Sequence, residues 1–108
     1  MNKYNAKKTV YNGELYDSKA EASFAAKLDI ARKAEAAIDR VESIERQCVY
    51  AIEVNGKHIA KYIADFRVTY ANGEVKVYDV KGVATPVYRL KKKLVEAIHG
   101  ITIIEVKK

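Results

Sequence analysis

Three Asn-Gly pairs, Asn12-Gly13, Asn55-Gly56 and Asn72-Gly73, separate β-prone runs and read as hairpin turns. The first joins residues 9–11 to residues 14–16 in a short ribbon. A helix is predicted next: Asp17-Ser18 supplies its cap and Glu21 stands at the capping-box position. Phe24, Leu28 and Ala31, then Ala34 or Ala37 and Ile38, recur at helical spacing to about residue 38. Residues 47–54, 57–70 and 74–82 read as the three strands of an antiparallel meander, the second long enough to bend or bulge. Thr85 caps a second helix with Pro86 at its first position; Val87, Leu90, Leu94 and Ile98 form its apolar stripe and Gly100 stops it. The run 101–106 is almost wholly apolar, as in a strand buried on both faces. A helix between it and the third strand calls for a parallel, right-handed connection. The expectation is an α/β (α+β-like) fold: a three-stranded antiparallel meander plus a parallel strand in one mixed sheet, with helices on both faces. Residues 1–108 form a single domain in this reading.

Composition narrows the function. A hydrophobic fraction of 49% supports a packed core, and a formal net charge of +6 favours a polyanionic partner, nucleic acid before membrane. The lone cysteine, Cys48, reads as a small hydrophobe on a strand and fits a reducing cytoplasm. No run approaches the ~20 apolar residues of a membrane span, and the stretch from Met1 to Lys8 has no apolar core of the kind a secretory leader carries. The expected location is cytoplasmic. His58 and His99 lie near a turn and a helix end and read as surface residues.

The chemistry concentrates at Asp65 and Asp79-Val80-Lys81. Aspartate is depleted in strands, yet two stand inside adjacent ones. The same D-x-K spacing recurs at Asp17-Ser18-Lys19, so context separates the two: the second triplet lies late in an inner strand, before a Gly82-Val83-Ala84 exit. Register is the sharper test. A two-residue loop at Asn72-Gly73 would set Asp65 against Val80 and turn Asp79 away. A type I turn with Gly73 in a G1 bulge instead pairs Tyr70 with Glu74, placing Asp65 opposite Asp79 and Ile63 opposite Lys81 on one face. The bulged turn is therefore predicted.

Two adjacent carboxylates repel unless a cation lies between them. Mg²⁺ takes one or two carboxylates, keeps several waters and binds a substrate phosphate. Asp65 and Asp79 would supply those ligands, with the Val80 carbonyl as a third, and Lys81 would orient or deprotonate a water or stabilise developing charge. The plainer alternatives are surface pairs, Asp65 with Arg67 or Lys61 and Asp79 with Lys76 or Lys81, and a capping role for Glu21. Glu21 shares its helical face with Phe24, Ala25 and Leu28, which turns its carboxylate towards the sheet.

This order of elements resembles the PD-(D/E)XK nuclease superfamily, and more closely its small phage-encoded endonucleases. The residues carrying the resemblance are Tyr11-Asn12-Gly13, Ser18 with Glu21, Arg46-Gln47, Tyr62-Ile63-Ala64-Asp65-Phe66, Asp79-Val80-Lys81-Gly82 and Leu90-Lys91-Lys92-Lys93-Leu94. Ala64 stands at the motif's Pro and Asp79 at its more frequent Glu. The resemblance implies a restriction-endonuclease-like core and Mg²⁺- or Mn²⁺-dependent DNA cleavage. Glu21, Asp65 and Asp79 would surround the metal, with Lys81 beside the nucleophile. It also implies a phage setting, in DNA recombination, replication or packaging, within the host cytoplasm and with a phage protein partner. Arg89, Lys91, Lys92 and Lys93 make the densest cationic patch and, with Gln47, are the candidate DNA contacts; Lys92 and Arg89 are expected to face outward, and Tyr88 to border the site. No base-reading module is evident, so recognition of DNA shape or branching is expected. One site per domain suggests a homodimer where both strands are cut. A non-catalytic nucleic-acid-binding domain on the same fold is the alternative; an RNA-directed nuclease or a basic structural protein stands behind it.

Overall fold

The computed structural model describes residues 7–81 and 83–107. The leaderless reading of the first residues falls largely outside that range, as does Gly82. Two of the Asn-Gly pairs form tight turns with both residues at positive φ: Asn12 and Gly13 at 51° and 81°, Asn55 and Gly56 at 50° and 78°. They connect β1 (Thr9–Tyr11) to β2 (Glu14–Tyr16) and β3 (Val41–Val54) to β4 (Lys57–Tyr70). The third pair differs. Only Gly73 is left-handed, at φ 92°; its N–H donates to the Tyr70 carbonyl at 2.9 Å, and the Tyr70 N–H donates to the Glu74 carbonyl at 2.8 Å. Asn72 Oδ1 accepts from the Glu74 N–H at 3.0 Å. This is the predicted bulged turn. It sets β4 against β5 (Val75–Lys81) as Thr69–Val75, Val68–Lys76, Arg67–Val77 and Phe66–Tyr78.

A Cβ at Gly73 would meet nothing within 4 Å, so substitution there strains only the backbone. Gly73→Ala is expected to lower the unfolding free energy by roughly 1 kcal/mol. Denaturant titration checks the value; an unchanged midpoint would show that the turn does not set the register.

The main sheet runs β3-β4-β5-β6, with β6 (Ile103–Lys107) parallel to β5 and the other pairs antiparallel. Helix α1 (Lys19–Ala31) packs Ala22, Ala25 and Leu28 onto Phe66, Val68 and Val80. Helix α2 (Pro86–His99) packs Tyr88 and Val95 onto Val77, Ala64, Tyr62 and Ile103. Val77 and Val80 differ in parity along one strand, so the helices cover opposite faces. The result is a mixed four-stranded sheet between two helices, an α+β fold with the β1–β2 ribbon against α1. No helix among the described residues is long and apolar enough to cross a membrane. Cys48 is a half-buried free thiol on β3, as expected.

Four elements depart from the sequence reading. Helix α1 ends at Ala31 rather than near residue 38. The Ala-rich continuation is held instead by two long-range hydrogen bonds, from the Asn72 and Ala71 N–H groups to the Ala37 and Arg40 carbonyls, and by two local ones, from Arg40 Nη1 to the Ala34 and Glu35 carbonyls. Strand β3 begins at Val41, six residues before the expected start; the charged Glu42, Glu45 and Arg46 masked it. Strand β6 is an edge strand: Ile103 is buried, but Ile104 and Glu105 are exposed, so burial on both faces is not found.

The fourth departure is the rotation of α2. Val87, Leu90 and Ile98 of the expected apolar stripe are exposed. The sheet-facing stripe is Tyr88, Lys92, Val95 and His99, at i, i+4, i+7 and i+11. Polar ties set that rotation. The Tyr88 hydroxyl donates to Glu105 Oε2 at 2.9 Å, and Lys92 Nζ lies 3.3 Å from the same oxygen. The Ile103 N–H donates to Glu96 Oε2 at 2.8 Å, and His99 Nε2 lies 2.7 Å from the Ala51 carbonyl oxygen. His99 is thus exposed, as His58 is, but it is tied to β3.

Candidate active site at the strand fork

In an antiparallel ladder every second residue directs both N–H and C=O at the partner strand. From Tyr70–Glu74 the alternation passes through Phe66–Tyr78, and the next bonded pair would be Ala64–Val80. The ladder stops short of it. The Val80 N–H donates instead to Asp65 Oδ2 at 2.8 Å. The Asp65 carboxylate thus takes the place of a backbone carbonyl, and β4 and β5 part there. The Val80 carbonyl leaves the strand on the same edge as its N–H and faces the gap. Ile63 and Lys81, predicted to sit opposite one another, lie beyond the paired ladder but line one cleft.

Strand β3 departs at the matching point. Gln47 has φ 53° and is skipped between the pairs Arg46–Phe66 and Cys48–Ala64, which places it across from Asp65. A left-handed non-glycine residue costs on the order of 1–2 kcal/mol. The consequence is visible in the packing. Even-numbered residues of β4 face α1 at Phe66, Val68 and Tyr70 but face α2 at Ala64 and Tyr62. In β3 the same change separates Ile44 from Cys48, Tyr50 and Ile52. Asp65 lies at this crossover, at the level of the sheet rather than squarely on one face.

Glu21 enters from α1. Its N–H donates to Ser18 Oγ at 3.1 Å, which is one half of a capping box. Its carboxylate does not close the other half: Glu21 is buried at 7% exposure, neighbours Asp65, and its Oε1 has no hydrogen-bond partner among the described residues. Asp79 enters from the α2 side, the face shared by Val77. It is fully buried, and among the described residues neither carboxylate oxygen has a hydrogen-bond partner within bonding geometry. Lys81 Nζ is 3.9 Å from Asp79 Oδ1 and 4.7 Å from the centre of the Tyr88 ring.

The electrostatics follow from that burial. Burial, then the neighbouring charges of Asp65 and Asp17, pushes the Glu21 carboxyl up to about 7. Burial pushes Asp79 up to about 6 against the pull of Lys81. Burial also raises Asp65, opposed by the Val80 N–H and by Lys81. Burial is thus the leading cause in all three carboxyls, and it makes their charged forms costly.

The structure therefore gathers Glu21 with Asp65, and Asp79 with Lys81, around one fork. Asp79 and Lys81 share the α2 side and Ile63 lines one cleft with Lys81, as expected, but Asp65 sits at the crossover between the faces rather than with them. Asp65 makes no ion pair with Arg67 or Lys61; Asp79 does have Lys81 as its ionic neighbour. Among the described residues no three His, Cys, Asp or Glu side chains converge as a ready-made metal cage. The donors at hand are the free oxygens of Asp79, the second oxygen of Asp65, the Val80 carbonyl and Glu21 Oε1. That hard-oxygen set is of the sparse kind which Mg²⁺ or Mn²⁺ completes with water and phosphate.

Of the proposed DNA contacts, Lys91 borders the cleft at Lys81, while Arg89, Lys93 and Gln47 are exposed. Lys92 does not face outward; it is paired with Glu105. Sequence reading missed Glu105, which lies beside Asp79 in the parallel register and anchors Tyr88 and Lys92. Its signal was a lone carboxylate interrupting the apolar run 101–106. Lys61, at the rim of the same cleft, was also missed as a contact.

The family model described as "Protein of unknown function (DUF1064)" matches residues 1–105. No curated protein and no solved structure matches the chain.

Proposed function

From the premise that the chain belongs to the DUF1064 family, whose description assigns no activity, we propose on the strength of its site that it is a metal-dependent DNA endonuclease of the PD-(D/E)XK type. One observation carries this reading: the carboxylate of Asp79 is fully buried and neither of its oxygens is hydrogen-bonded among the described residues, at a fork shared with Asp65, Glu21 and Lys81. A buried carboxylate without hydrogen bonds, its one ionic neighbour a lysine at 3.9 Å, costs several kcal/mol unless a closer cation or a proton joins it. Folds keep such a cost where function requires it.

Asp79, Asp65 and the Val80 carbonyl would hold Mg²⁺ or Mn²⁺, with Glu21 receiving its outer waters or a direct bond. A divalent ion held there would supply Lewis-acid chemistry, lowering the pKa of water beside it and neutralising charge on the phosphate. Asp65 is held in place by the Val80 N–H, so its free oxygen is directed without rotamer cost at the moment of binding. Lys81, beside Asp79 and above the Tyr88 ring, is placed to meet the scissile phosphate and the attacking water. The water oxygen bonds to phosphorus as it gives up one proton to solvent, the bond from phosphorus to the leaving sugar oxygen breaks, and that oxygen takes up one proton from solvent. The positive balance of the chain and Lys91 at the cleft favour a nucleic acid as the polyanion, and the resemblance makes it DNA. The family resemblance adds the finer reading: branched or junction DNA, or nicking, in phage recombination, replication or packaging, as a homodimer where two strands are cut.

Incubation with supercoiled plasmid, linear duplex, single strands and a four-way junction, in Mg²⁺, Mn²⁺ or EDTA, tests the proposal. Cleavage in either metal and none in EDTA is expected. Salt-sensitive binding without cleavage on any substrate would replace it with a non-catalytic binding domain.

A further inference from the structure

A cleft of about 380 Å³ opens between β4 and the first turn of α2. Its cations are Lys61, Lys81 and Lys91, and its walls include Ile63 and Val87. Ile63 is 41% and Val87 63% exposed. Tyr62 and Tyr88, with ring centres 6.3 Å apart, close its floor. Lys81 belongs both to this cleft and to the fork, so whatever occupies the cleft adjoins the candidate reaction centre.

The two chemistries point to one occupant. Three lysines suit phosphates, but a paired duplex offers phosphate, sugar and base edges at its surface, with its flat base faces stacked away. Solvent-exposed aliphatic side chains over an aromatic floor suit the flat apolar face of a base, and proteins use such residues as wedges between base steps. We infer that the cleft receives a nucleotide whose base is already unpaired, beside the scissile phosphate, and that Ile63 and Val87 select single-stranded or forked DNA over continuous duplex. This deepens the nuclease reading and rests on it.

The test is fluorescence anisotropy in Ca²⁺ at one fixed salt concentration. Equal-length paired duplex, single strand and forked duplex are compared for wild type, Ile63→Ser/Val87→Ser and Lys91→Ala. Both apolar side chains are exposed, so the double variant leaves the core intact. Wild type is expected to bind the fork or single strand ~10-fold more tightly than duplex, the effect of one stacked base. The double variant should bring the substrates within about threefold of one another, whereas Lys91→Ala weakens all of them alike through a lost phosphate contact. Equal wild-type affinity for fork and duplex, or equal loss on all substrates in the double variant, would overturn the inference. So would sedimentation of DNA-free wild type as a dimer that the double variant dissociates, since the apolar rim would then be an interface between copies. Metal-dependent duplex cleavage without fork preference sinks this inference alone; no binding and no cleavage of any DNA sinks the nuclease reading with it.

Discussion

Asp79→Asn is expected to abolish metal-dependent cleavage while making the metal-free protein more stable at neutral pH. The loss follows from removing a charged ligand: an ion that contributes on the order of 4 kcal/mol to the transition state is worth roughly 10³ in rate. The gain follows from burial. Asp79 is fully enclosed, has no hydrogen-bond partner for either oxygen among the described residues, and is raised by that burial to about 6. Keeping it charged at neutral pH costs the fold on the order of 3 kcal/mol. An amide of the same shape removes the charge but leaves its own polar atoms unpaired, at ~1–2 kcal/mol. A net gain of about 1 kcal/mol would raise Tm by roughly 4–8 °C. Plasmid nicking and thermal unfolding in EDTA read the two effects separately. A variant that is inactive but melts well below wild type would mean that Asp79 serves the fold, and the site would lose its main support.

The second large effect is a pH-dependent stability that metal reverses. Asp79 and Glu21 are raised above their ordinary values of 3.8 and 4.5, so the folded chain holds their protons more tightly than the unfolded chain does. The stability they contribute is complete below their ordinary values. It declines as pH rises through about 6 for Asp79 and about 7 for Glu21. Asp65 acts in the same direction. Glu105 is lowered by the Tyr88 hydroxyl and acts oppositely, its contribution being lost only in more acid solution. In EDTA, Tm is therefore expected to fall between about pH 5 and pH 8. Mg²⁺ binds the deprotonated carboxylates, so it should restore stability at pH 8 and do little at pH 5. At a hundredfold excess over Kd the restoration is ~2.7 kcal/mol. Melting curves across that range, with and without Mg²⁺, decide the matter. A Mg²⁺ effect of equal size at both ends would show that the ion binds elsewhere.

Much of this architecture was legible because local chemistry and global fold agree. Asn12-Gly13 and Asn55-Gly56 can hardly do anything but turn, Thr85-Pro86 and Gly100 bracket α2, and Tyr70 with Gly73 and Glu74 holds the information for the bulged register. That register in turn brings Asp65 to the level of Asp79. What the chain alone could not disclose depends on contacts distant in sequence. Ala34, Ala37 and Ile38 have the spacing of a helix, but hydrogen bonds from Ala71 and Asn72 hold that segment out of one. The apolar positions of α2 suggest one buried face, yet Glu105, arriving from β6, recruits Tyr88 and Lys92 and turns the helix by one residue.

The same division applies to the site. Residue types and register nominated Glu21, Asp65, Asp79, Val80 and Lys81, since strand aspartates and an inward-facing glutamate are costly without a partner. Only the tertiary structure decided that Asp65 replaces a carbonyl in the ladder, that Gln47 drops out of the β3–β4 pairing opposite it, and that Glu21 and Asp79 approach from opposite faces. The physical reason is that side-chain alternation fixes faces only along an unbroken strand. Where a carboxylate captures a backbone N–H, the alternation breaks, and the orientation of every group at the fork is settled by the packing of α1 and α2 around it.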